Sequence, residues 1–85
     1  MRPVHEIATD IIQEIRKRRS KGVRDANWII WSEPYLQAMT CISTKNDIYG
    51  QDDGYGLIAY CLGNLSGFRG ELAKKLKNEL KEHLE

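Results

Sequence analysis

The sequence predicts a small all-α domain, a bundle of three or four helices with an apolar helix over residues 54–65 at its centre. Three observations lead there. Eighty-five residues suit one domain with a small continuous core, apolar residues recur at helical spacing in four separate stretches, and no β-like run has a partner nearby. The 13 basic and 12 acidic side chains leave a net charge of +1. That balance excludes a disordered polyelectrolyte and makes any electrostatic site a local one.

The central stretch runs from Gly54 to Leu65. Leu57, Ile58, Cys61, Leu62 and Leu65 fall at i, i+1, i+4, i+5 and i+8, with Ala59 and Tyr60 widening the same face. Asp52 and Asp53 precede it as caps, and Gly63-Asn64 weakens its far end. The chain reads as a single helical domain, 1–85, in which the last pair, 84–85, resembles the remnant of a cloning site.

The first helix is expected over residues 4–18, with Ile7, Ala8, Ile11, Ile12 and Ile15 as its buried stripe and Pro3 at its entry. Acidic Glu6, Asp10 and Glu14 come early and basic Arg16 to Arg19 late, the order that the helix dipole favours. The basic run continues past a terminating Gly22 to Arg24, six positive charges in nine residues. Residues 25–31 show neither alternation nor helical spacing and are expected to form an extended or irregular connection. A second helix should then begin at Ser32-Glu33-Pro34, capped by Ser32 or Glu33, bury Tyr35, Leu36, Met39 and Ile42, and end near Thr44. Residues 45–53 carry a glycine and four Asn or Asp residues, a turn-rich loop. After Ser66-Gly67 the last helix places Phe68, Leu72, Leu76, Leu80 and Leu84 at every fourth position, with Ala73 beside them and charged residues on its other faces.

Motifs for chemistry are weak. A calcium loop with Gly54 at its sixth position would need acidic ligands where Tyr49 and Tyr60 stand. The glycines at 50, 54 and 56 lack the lysine and the preceding strand of a phosphate-binding loop. The spacing of His5, His83, Cys41 and Cys61 does not suit structural zinc. Both histidines are read as solvent-facing, and both cysteines as reduced, buried thiols of a cytoplasmic protein. No nucleophile has a recognisable setting, so neither an enzyme nor a cofactor is expected. No apolar run is long enough for a membrane helix, and no membrane partner is expected.

One feature has a functional edge. The basic residues Arg16, Arg18, Arg19, Lys21 and Arg24 could neutralise phosphates, and the tryptophans close behind them could stack on bases. Equally, a basic helix end is often a solvated cap and the tryptophans core anchors. The segment Trp28, Ile29, Ile30 and Trp31, if exposed, would instead form an interface for a protein partner or a second copy of the chain.

Pro34-Tyr35-Leu36-Gln37-Ala38-Met39, Asp47-Ile48-Tyr49-Gly50-Gln51-Asp52, Tyr60, Leu62, Asn64, Arg69-Gly70-Glu71 with Ala73, and Lys77-Asn78-Glu79-Leu80-Lys81 resemble a group of small proteins encoded by bacteriophages, prophages and related mobile elements. The resemblance covers residues 34–81. It implies an accessory protein in the cytoplasm of a bacterial host and supplies no activity or catalytic residue. A role as a structural virion component is the weaker alternative. In this pattern Ser66 is left to cap the last helix, and Gly70, placed inside the first turn, calls for a close backbone neighbour and a pairing of Arg69 with Asp47, Asp52 or Asp53.

Overall fold

The computed structural model describes residues 1–22 and 27–85, and within them the fold is all-α with one two-stranded hairpin. Helix α1 spans Val4–Ser20, α2 Asn27–Met39, α3 Gly54–Gly63 and α4 Glu71–Leu84. Strands β1 (Ile48–Tyr49) and β2 (Asp52–Asp53) pair antiparallel, Ile48 opposite Asp53 and Tyr49 opposite Asp52. The principal packed pairs close a cycle: α1 on α2, α2 on α3, α3 on α4 and α4 on α1. Each helix turns one apolar face inward, so the core is shared between four stripes.

Ile7, Ala8, Ile11 and Ile15 of α1 are buried, as their spacing predicts, whereas Ile12 is only partly so; Val4 is buried as well. The helix runs two residues beyond its expected end, Lys17, Arg18 and Arg19 occupy its last turn, and Gly22 (φ +86°) follows it. Leu57, Ile58 and Cys61 form the inner face of α3, and the Asp53 carboxylate caps it by accepting from the Gly56 N–H at 2.6 Å. Tyr60 is 66% exposed, so the apolar face does not extend to it.

The connection expected at 25–31 is instead helical from Asn27, and Pro34 lies inside α2. Tertiary packing overrides the local pattern: Ile29 is fully buried, and the Trp28 ring stacks on Phe68 with centroids 5.3 Å apart. Ser32 is a buried mid-helix residue whose hydroxyl donates to the Ile29 carbonyl, so neither it nor Glu33 is the cap. Pro34 withholds a donor from the Ile30 carbonyl, but both residues are exposed, where water can serve that oxygen. The helix stops at Met39, five residues short of expectation, while Ile42 stays buried in the turn beyond it.

Helix α4 begins at Glu71, not after Ser66-Gly67. Its N-cap is Gly70, at φ +114°, and no side chain caps it, which removes the role given to Ser66. Phe68 precedes the helix and is fully buried, whereas Leu72, in the predicted stripe, is exposed. The close-contact account of Gly70 also fails: an added Cβ there would come no nearer than 3.8 Å, to an Arg18 nitrogen. Its backbone conformation is what requires glycine.

The two chain ends meet. His83 is buried, with Nε2 2.6 Å from the Arg2 carbonyl oxygen, contrary to a solvent-facing reading. Leu84 packs partly against the core, and Lys45 donates to the Glu85 carbonyl at 2.6 Å. Arg2 binds Glu79 through two nitrogens, at 2.9 and 2.8 Å, and Asp10 at 2.7 Å, which ties the start of α1 to the later part of α4.

Candidate interaction surfaces

The basic run divides by the work its members do. Arg18 lies over the Phe68 ring at 4.7 Å, donates to the Arg69 carbonyl at 2.7 Å and pairs with Glu14 at 3.2 Å. This is a structural strap between the end of α1 and the approach to α4. Arg19 reaches Glu33 of α2 at 2.6 Å. Arg16, Lys17 and Lys21 are exposed, and Arg24 lies outside the described residues. The sequence had no signal for this division, because Phe68 and Glu33 are distant in the chain.

The segment 28–31 divides too, by helical geometry. Trp28 is half-buried against Phe68 and Gly67, and Ile29 belongs to the core, so these two cannot form a free surface. Ile30 and Trp31 point outward, 54% and 58% exposed. One turn on, Pro34 follows Ile30 and Tyr35 follows Trp31 on the same side of α2. Tyr35 stacks on Tyr60 of α3, with ring centroids 5.9 Å apart and planes at 17°. The result is an apolar and aromatic strip across the outer side of α2 onto α3. Beside it a cavity of about 260 Å³ is lined by Tyr35, Tyr60, Leu57 and the hairpin residues Gln51, Asp52 and Asp53.

The acidic loop is occupied by local structure. Asp47 Oδ2 accepts from the Ser43 and Thr44 N–H groups at 2.6 and 3.0 Å, which holds its carboxyl below the usual carboxylate range. Asp53 caps α3. Among the ion pairs of the described residues, none joins Arg69 to Asp47, Asp52 or Asp53. The described residues contain no group of three His, Cys, Asp or Glu placed to hold a metal, and none of their helices is long and apolar enough to cross a membrane.

The cysteines differ in setting. Cys61 is buried in the core, and burial pushes its thiol up to about 12; Cys41 is exposed, against expectation, because α2 ends before it. Both are free.

Helix α4 has two unlike flanks. One carries Glu71, Lys75, Glu79 and Glu82, with Lys74 and Asn78 on its border to the other. The other presents Lys74, Lys77 and Lys81, which with Arg69 line a cavity of about 350 Å³ completed by Phe68, Gly70 and Asn78. Lys77 donates to the carbonyls of Phe68 (2.6 Å) and Leu65 (3.2 Å). Desolvation, then the neighbouring charges of Lys81 and Arg69, lower its pKa from the ordinary lysine value.

Comparison of the chain with protein-family models, with curated proteins and with solved structures finds no match.

Proposed function

We propose that this chain is an accessory protein of a phage or prophage, acting in the bacterial cytoplasm by binding another protein rather than by catalysing a reaction. The mobile-element origin rests on the residue pattern over 34–81. The binding mode rests on one observation: Ile30 and Trp31 project from α2 next to the stacked Tyr35–Tyr60 pair. Tryptophan and tyrosine are enriched among residues that dominate binding energy at protein interfaces. Neither exposed side chain is part of the core cluster, so the fold does not account for them. A second copy of the chain is the alternative occupant of this surface.

The test is capture from a nuclease-treated host lysate by the purified protein and by an Ile30→Ser, Trp31→Ser double variant, with sedimentation of both. Replacing exposed residues should change stability by no more than about 0.5 kcal/mol per site. A specific protein captured by the parent and lost with the variant supports the reading; a dimer lost with the variant supports the homodimer. Identical capture and identical sedimentation for both proteins would sink it.

A nucleic-acid regulator using residues 16–24 is the competing reading. It has less support, since Arg18 and Arg19 have intramolecular partners.

A further inference from the structure

We propose that the basic flank of α4, with Arg69, Lys74 and Lys81 around the 350 Å³ cavity, binds the phosphate backbone of a nucleic-acid strand without regard to sequence. This site is separate from the outer side of α2 and does not depend on the protein-binding reading.

Charge segregation is the first observation. The seven residues lining the cavity include four cations and no carboxylate, in a chain whose net charge is only +1. The carboxylates Glu71, Glu79 and Glu82 of α4 line the adjoining surface, which Lys74 and Asn78 border from the basic side.

The second is the arrangement of the cations. Lys77 is drawn in to satisfy the Leu65 and Phe68 carbonyls, so its charge sits behind the exposed Lys74 and Lys81 and reinforces their field. Lys74 and Lys81 are seven residues apart, about 10 Å along the helix axis. That length exceeds the span of one phosphate group. A single phosphate group would not use the whole row, whereas a strand running along it would. Asn78 adds an amide that can donate to a phosphate or sugar oxygen.

The third is the helix end beside the row. No side chain caps α4, so its first-turn N–H groups add to Arg69, offset in part by the Glu71 carboxylate of the same turn.

The probe is a fluorescein-labelled, mixed-sequence single-stranded 20-mer, as DNA and as RNA, followed by anisotropy from 20 to 150 mM salt. Lys74→Gln, Lys81→Gln is the test variant; both residues are exposed and glutamine keeps helix propensity. Arg16→Gln, Lys17→Gln, Lys21→Gln is the reference variant, with melting curves recorded for all three proteins. The parent should bind at 20 mM salt and weaken steeply by 150 mM. Losing two phosphate contacts should flatten the log–log salt slope by about 1.4 and weaken binding at 20 mM at least tenfold, while the reference variant binds like the parent. Absence of parent binding at 20 mM, unchanged binding by the test variant, or a larger loss in the reference variant would overturn the proposal. So would displacement of the strand by poly-glutamate at equal charge concentration, since that marks an indifferent anion surface.

Discussion

Gly67 and Gly70 are three residues apart and stand for different physical demands. At Gly67 an added Cβ would overlap the Trp28 indole, so the missing side chain is what lets the ring lie flat on the chain before α4. At Gly70 there is room, but the backbone is at φ +114° and ψ 172°, a region that side-chain-bearing residues avoid. Gly70→Ala should therefore lower stability by about 1–3 kcal/mol, read from denaturant midpoints, with the fluorescence of the folded protein unchanged. Gly67→Ala should cost about as much, from overpacking, and should also shift Trp28 emission because the ring must move. The cysteines offer a second contrast. Cys41 should react with a thiol reagent such as DTNB within minutes at pH 8. Cys61, buried and with its thiol pushed up to about 12, should react only as the protein opens. Equal rates would contradict the placement of α2 and its end at Met39.

Among the elements, α1 and α3 were legible because a single stripe of apolar side chains defines each. α2 was not. Its first turn is apolar on both sides, and periodicity cannot say which of Trp28, Ile29, Ile30 and Trp31 faces in until α1 and Phe68 are in place. The serine and proline at 32 and 34 resemble a helix start, yet the helix passes through them, since its packed residues begin upstream with Trp28 and Ile29. The start of α4 is hidden in the sequence for a related reason: Phe68 keeps the every-fourth spacing but anchors the incoming loop. Phe68→Ala should thus destabilise by about 3–5 kcal/mol and loosen Trp28, Arg18 and the α4 entry together, seen as faster amide exchange in all three places. Of the residues singled out for binding, only Ile30 and Trp31 remain as an apolar exposed pair. The basic flank of α4 is not legible in the sequence, because its lysines are scattered among glutamates there and are gathered only by the helix.

For the molecule as a whole, the Cα radius of gyration is 12.0 Å, about that of a single compact body of this length. Heat or denaturant should therefore give one transition, coincident by circular dichroism and tryptophan fluorescence. Acid should weaken it in a defined direction. Asp47 is held below its ordinary value by the Ser43 and Thr44 N–H groups, and Glu79 by its hydrogen bonds to Arg2. A carboxyl with a lowered folded pKa stabilises fully above its unfolded value, near 4, and loses that contribution as pH falls through the folded value. Asp47→Asn with Glu79→Gln should hence lower stability at pH 7 and flatten its decline below pH 4, measured as melting temperature against pH. The Arg2–Glu79 pair is partly exposed, so its share is at most about 1 kcal/mol.

The contact between His83 and the Arg2 carbonyl places residues 1 and 85 at one corner of the molecule. Peptide grafted onto either extremity would emerge from the same spot and leave both the α2 strip and the α4 flank uncovered. A short linker from 85 back to 1 should make a circular chain without moving a helix, and new ends opened at the exposed Gly50-Gln51 tip should yield a permuted protein that still folds.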